Sequence, residues 1–209
     1  MVYGRYLFLA GLTVMVTALA IGCEGMNTRP GEVIIQREVD LDNKTVAVIP
    51  FREYDGKYFE SELGTLMTEK IRNQMRANMP KTRFASALPV RQKMEESTEE
   101  MTLSQMGEAA NADVVIVGRI KEFRTKDPGA IGYFRGTCEL ELTVYNVAGN
   151  VPIKKWTPTV YYPERGAGVS MTDLTEQQVH DNMVKYTADF IAKKFYTYKR
   201  SSLADPMDW

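Results

Sequence analysis

The sequence predicts an α+β domain: a mixed central sheet of about four or five strands, flanked by helices in two or three layers and closed by a C-terminal amphipathic helix. Three observations predict it. Residues 44–51 (KTVAVIPF) form a short apolar run stopped by Pro50. Residues 114–120 (VVIVGRI) are apolar without alternation, which suits a central strand buried on both faces. Residues 57–79 and 175–198 carry apolar side chains at three-and-four spacing, as helices do when they bury one stripe.

The elements follow in order. Residues 24–43 are polar, contain Asn27 and Arg29-Pro30-Gly31, and hold no sustained period; they are expected as a tether, with room for one short strand at 33–36. The first helix should run over 57–79, with Phe59, Leu63, Leu66, Met67, Ile71 and Met75 inward and Pro80 ending it. Residues 83–87 read as a second strand, and 89–97 and 102–111 as short helices, the latter opened by a capping box of Thr102 and Gln105. A glycine-containing loop, 127–136, follows the central strand. Strands 137–147 and 151–162 are joined by Ala148-Gly149-Asn150, a short hairpin connection, and Pro158 makes the later one an edge or bulged strand. The last helix, 175–198, places Val179, Met183, Thr187, Phe190, Ile191 and Phe195 on one face. Residues 201–209 are expected as a tail, so one domain spans 44–200.

The N-terminus has Arg5, an uncharged apolar run over residues 6–21, and small residues before Cys23. Those sixteen residues would make ~24 Å of helix, short of the ~30 Å hydrocarbon core, which favours a signal segment over a permanent span. Leu19-Ala20-Ile21-Gly22-Cys23 resembles the lipobox of bacterial lipoproteins, with Ala20 where leucine is usual. The resemblance implies a signal peptide over residues 1–22, a lipidated Cys23 as the new N-terminus, and a tether over 23–43. Each buried methylene contributes ~0.8 kcal/mol, and two or more acyl chains hold a protein stably on a membrane. Glu24, rather than aspartate, follows the cysteine; by the enterobacterial sorting rule this implies the periplasmic face of the outer membrane. Twenty extended residues would reach at most ~70 Å from it.

Little chemistry is expected at that address. Removing residues 1–22 takes away one arginine and turns the net charge from −1 to −2, so no face should attract nucleic acid. With Cys23 lipidated, Cys138 is the remaining thiol and no intramolecular disulfide can form. It shares one side of the alternating run 137–144 with Leu140, Leu142 and Val144, a core position. His180, the single histidine, is expected to be structural. One histidine and one thiol make neither a standard zinc site nor a Cys-His pair, and no phosphate loop or serine elbow occurs. Glu95, Glu96, Glu99 and Glu100 are expected as a solvated acidic turn. No enzyme is expected, no metal, and no cofactor beyond the covalent lipid on Cys23. The candidate partner-binding surface is aromatic: Tyr133, Phe134, Trp156, Tyr161 and Tyr162 fall on or near the loop edges of the hairpin sheet, and such side chains suit interface anchors.

Two stretches carry a wider resemblance. Val46-Ala47-Val48-Ile49-Pro50-Phe51 is similar to the opening strand, and residues 109–118 (AANADVVIVG) to the helix-to-strand step, of the curli-secretion (CsgG-type), LpoB-type and TolB N-terminal domains. Asn111 stands where glycine is usual in that step; asparagine tolerates the left-handed conformation that a helix stop needs. The resemblance implies a non-catalytic, lipid-anchored adaptor or regulator that binds a protein of a cell-wall-synthesis or secretion machine. Its alternative is an oligomeric subunit of a curli-secretion-like outer-membrane assembly.

Overall fold

The computed structural model describes residues 32–97, 99–164 and 168–201. Residues 1–31, with Cys23 and the leader, and residues 202–209 of the expected tail lie outside them. In chain order the elements are β1 (Glu32–Ile35), β2 (Thr45–Val48), β3 (Arg52–Glu53), α1 (Glu62–Asn78), β4 (Arg83–Phe84), α2 (Leu88–Glu96), α3 (Leu103–Ala110) and β5 (Val114–Arg124). Then come β6 (Tyr133–Phe134), β7 (Gly136–Asn146), β8 (Val151–Trp156), β9 (Thr159–Tyr162), β10 (Val169–Ser170), α4 (Glu176–Ala192) and β11 (Tyr198–Ser201). The class is the expected one, an α+β fold with a mixed sheet and a C-terminal helix.

The long strands β5 and β7 form the antiparallel spine. β2 and then β3 run parallel along one side of β5, β4 flanks β2, and β8 and then β9 run antiparallel along the far side of β7. This makes a seven-stranded sheet, larger than expected because the two-residue β3 gives no periodic signal and because residues 151–162 divide in two. Pro158 sits at that division, and its carbonyl accepts a 3.0 Å hydrogen bond from the Leu140 N–H.

Alternation along β5 and β7 sorts the core. Val114, Ile116 and Ile120 face the same side as Cys138, Leu140, Leu142 and Val144; α1 and α4 cover that side with Met67, Ile71, Met75, Met183, Val184 and Ile191, joined by Phe195 from beyond the end of α4. On the other side, Ala47, Ile49, Val115 and Val117 meet Val90 of α2 and Met106 and Ala110 of α3. The expected capping box of Thr102 with Gln105 forms, and a second, of Thr175 with Gln178, opens α4. Asn111 ends α3 in the left-handed region, φ 50°.

Phe51 is the point at which the layers lock. It follows Pro50, so its strand has ended, and its buried N–H donates instead to Thr68 Oγ1 of α1 at 3.0 Å. Gly64, one turn earlier, lets α1 approach so closely that a Cβ there would lie 1.9 Å from the Phe51 carbonyl oxygen. Gly118 of β5 makes room for the ring: a Cβ there would lie 2.5 Å from it. The side chain that follows the VAVIP run is thus enclosed by helix and strand backbones.

Four expectations are corrected. The first helix begins at Glu62, capped by Ser61, because Phe59 takes φ 70° and breaks the helix path; its ring packs instead against the α2–α3 core. The last helix stops at Ala192; a turn then brings Phe195 into the core, and Phe190 faces outward, 38% exposed. Residues 198–201, expected as helix end and tail, form β11, which pairs antiparallel with β1 from Glu32↔Ser201 to Ile35↔Tyr198. Finally, residues 32–43 are not part of the tether that the polar stretch predicts. They are tied to the domain instead: Val39 and Leu41 are buried with the α1–α4 core, Thr82 Oγ1 donates to the Leu41 carbonyl, and the Lys194 carbonyl accepts from the Glu38 N–H.

Cys138 is fully buried, and burial pushes its thiol pKa up to about 12. In the native state it should resist iodoacetamide from pH 7 to 9, with less than about a tenth alkylated while a denatured sample reacts fully. Rapid labelling of the folded chain at Cys138, located by peptide mass mapping, would contradict this packing.

Candidate functional site

Among the described residues, one half of the sheet's second face has no helix over it. α2 and α3 cover the ends of β2 and β5, and beyond them the alternation brings charged side chains to the surface: Arg119, Lys121, Glu122 and Arg124 from β5, Glu139 and Glu141 from β7. A bulge builds the centre of this open face. Ile120 pairs with Leu140 but Glu122 with Glu139, so Lys121 is the extra residue on β5. The bulge sets Glu122 opposite Glu139. Lys121 Nζ reaches Glu141 Oε1 at 3.0 Å and Glu139 Oε1 at 3.5 Å, while Arg119 lies 3.8 Å from Glu141 Oε2 and Arg124 pairs with Glu122. The hydrogen bond between Lys121 and Glu141 pushes the lysine's pKa up and the carboxyl's down. These charges are half exposed, where ion pairs add little to stability. What they do is hold a ribbed, preorganised polar surface over the two central strands.

A second bulge decides which aromatic residues border it. Tyr145 pairs with Pro152 but Val144 with Lys154, so Ile153 is the extra residue on β8. One residue of shift reverses every later side chain. Val160 therefore enters the core opposite Cys138, and Tyr161 stands on the open face opposite Thr137, 41% exposed. The Arg135 guanidinium lies over its ring, 5.1 Å from the centroid. At the opposite margin Tyr54, 58% exposed, lies under Arg119, 5.8 Å from guanidinium carbon to ring centroid.

The five aromatics expected as one surface separate. Tyr133 and Tyr161 are exposed, whereas Phe134 is only 8% exposed. Trp156 packs edge-on against Phe195, its Nε1–H donating to Glu38 Oε2 at 2.7 Å; hydrogen bonds from Lys194 and Trp156 hold the Glu38 carboxyl below the usual range. Tyr162 turns to α4, beside Tyr186, its hydroxyl accepting from Asn182 Nδ2 at 3.0 Å. Tyr54 and Arg135 were missed. Only their neighbours across the sheet bring them to this face, and local sequence carries no sign of that.

The remaining candidates are accounted for. His180 lies edge-on to Phe123, ring centroids 5.1 Å apart, with Nδ1 3.2 Å from Asp181. The acidic turn is partly paired: Glu100 with Arg52 at 2.9 Å and Glu95 with Arg91 at 2.8 Å. Among the described residues no three His, Cys, Asp or Glu side chains come together as a metal site, and no helix is long and apolar enough to cross a membrane. Cys23 lies outside them.

No known family's model matches the chain, and no curated protein matches it. Solved structures with a similar arrangement exist. Lipoprotein GNA1162 from Neisseria meningitidis superposes with a TM-score of 0.45 at 10% identity, over 71% of this chain and 98% of that one. A PelC dodecamer subunit from Paraburkholderia phytofirmans gives 0.41 at 13%, over 76% and 94%. The LpoB C-terminal domain from Escherichia coli gives 0.38 at 16%, over 57% and 84%.

Proposed function

We propose that the chain is a non-catalytic lipoprotein, anchored through Cys23 on the periplasmic face of the outer membrane, that binds an envelope protein through the open face of its sheet. The carrying observation is that face itself: charged pairs held rigid on the two central strands, bordered by the exposed rings of Tyr54 and Tyr161. Aromatic anchors around a fixed polar surface make a protein-recognition site. The chemistry elsewhere agrees, since the one thiol among the described residues is buried and protonated and His180 is held between Phe123 and Asp181. The resemblance of the VAVIPF and AANADVVIVG stretches directs the reading toward a cell-wall-synthesis or secretion machine.

A photo-crosslinking residue at position 161, compared with one at Asn73 on the exposed side of α1, tests the binding face in living cells. The expected result is a product with one foreign envelope protein from position 161, reduced at least fivefold by Arg119→Glu, with Tm unchanged for the Tyr161→Ala and Tyr54→Ala variants. Equal yields from both positions, or self-products alone, would overturn the adaptor. Fatty-acid label lost from Cys23→Ser is expected for the anchor; label that persists would remove it.

A further inference from the structure

Between Asp127 and Arg135 the chain reads Pro128-Gly129-Ala130-Ile131-Gly132-Tyr133-Phe134 and carries no charge. Ile131 at the tip of this loop is 90% exposed and Tyr133 50%, the reverse of what their apolar surface favours. The base of the loop is hydrogen-bonded. β6 pairs with β10, the Met171 N–H donates to the Gly132 carbonyl at 3.0 Å, and the Ala130 N–H donates to the Asp127 carbonyl at 3.1 Å. The tip stands clear of the domain: Gly129 and Gly132, at φ 78° and 79°, would each place a Cβ with nothing within 4 Å. The carboxylate that opens the segment, Asp127, is paired with Arg124 at 3.5 Å, and Lys126 forms no ion pair among the described residues. An apolar tip with a basic side chain at its base suits a bilayer surface, where the tip leaves water and the ammonium group meets phosphate.

The fold sets this loop at the end of the domain where β1 begins. Lys193, just past the end of α4, lies over the Tyr198 ring, 5.1 Å from its centroid, and β11 starts there. β11 then runs back along α4, bringing Arg200 to Tyr186: burial pushes that hydroxyl's pKa up, a hydrogen bond with Glu164 adds to the rise, and the Arg200 charge opposes it. β1 is antiparallel to β11, so its first residue, Glu32, lies on the side of the N-terminal end of α4. The loop is at that end. Thr125, at its base, donates to Glu176 in the first turn of α4 at 2.8 Å. Tyr162, whose ring lies 6.2 Å from that of Tyr186, pairs with Gly136 directly after the loop.

We propose that the 128–134 loop docks on the phospholipid surface of the leaflet that holds the anchor, with Ile131 below the headgroups, Tyr133 at their level and Lys126 among the phosphates. The contact rests on the Cys23 lipidation proposed above. That anchor is what selects a membrane as the occupant, because residues 24–31 join the lipid to the same end of the domain that bears the loop. Tyrosine suits the boundary, with an apolar ring and a hydroxyl that stays wet. One isoleucine and one tyrosine would hold an untethered protein weakly. With the lipid in place they act at the effective concentration of a short linker, on the order of millimolar, and add a second point of contact.

Fluorescence quenching tests this on the full mature chain, purified from membranes and reconstituted in vesicles of phosphatidylethanolamine and phosphatidylglycerol. A fluorophore is attached through Ala130→Cys or, as the control, through Asn73→Cys on the exposed side of α1; Cys138 is buried and does not take the label. Lipids spin-labelled near the headgroup should quench position 130 roughly threefold more strongly than position 73. Adding Ile131→Asp and Tyr133→Asp should bring position 130 down to the level of position 73, with Tm unchanged and the protein still floating with the vesicles. A floating protein quenched equally at both positions would overturn the loop contact and leave the anchor standing, as would a doubly charged variant quenched as strongly as the wild type. A wild type that does not float with the vesicles would overturn the anchor and the loop contact with it.

Discussion

Gly64→Ala should destabilise the domain by about 3 kcal/mol, although alanine normally stabilises a helix interior by ~1 kcal/mol relative to glycine. The sign reverses because of where the methyl would go. It would sit 1.9 Å from the Phe51 carbonyl oxygen and 2.7 Å from the carbonyl carbon, and backbone atoms cannot rotate aside. Relief requires α1 to move outward. That movement stretches the Phe51 N–H bond to Thr68, leaving a buried donor unmade at ~1–3 kcal/mol, in addition to the ~1–3 kcal/mol typical of overpacking. For a domain of this size the melting temperature should fall by roughly 10 °C. Urea unfolding of wild type and variant measures it. A variant as stable as the wild type would show that α1 does not rest on Phe51.

Leu41→Ala carries the second largest expectation, a loss of about 3 kcal/mol, in the usual range for emptying a fully buried leucine site. Val33→Ala, on the exposed side of β1, should change stability by less than about 0.5 kcal/mol. The comparison, by the same urea measurement, separates a segment that is part of the core from a passive leash. Equal, negligible effects would return residues 32–43 to the leash.

Local signals were readable where one residue type answers one local need. Thr102-x-x-Gln105 capped its helix as expected, and Asn111 adopted the left-handed stop. Cys138, Leu140, Leu142 and Val144 faced inward together because alternation along an unbroken strand leaves no other choice. What escaped was set by distant partners. Val39 and Leu41 sit in a polar stretch with no period, and only α1 and α4 give them a core to enter. β3 is a strand because β5 lies alongside it. The candidate site suffered most, since its composition depends on two inserted residues. Counting back from the 148–150 turn without the insertion at Ile153 puts Tyr161 in the core and Val160 outside. Proximity to loops marks the five expected aromatics in the sequence, whereas the bulge, α4 and Glu38 decide which of them stay exposed.

The pairing of β1 with β11 has a consequence for freedom of movement. If the lipid sits on Cys23 as proposed, eight residues, 24–31, separate it from Glu32, where the folded body begins. Fully stretched they reach ~28 Å. A body of 170 residues is about 40 Å across. The leash is then shorter than the object it holds, so the body cannot roll over its anchor: the end bearing Glu32 and Ser201 must stay turned toward the lipid. Any partner has to come to a protein whose compass bearing is already set, within about 70 Å of the bilayer.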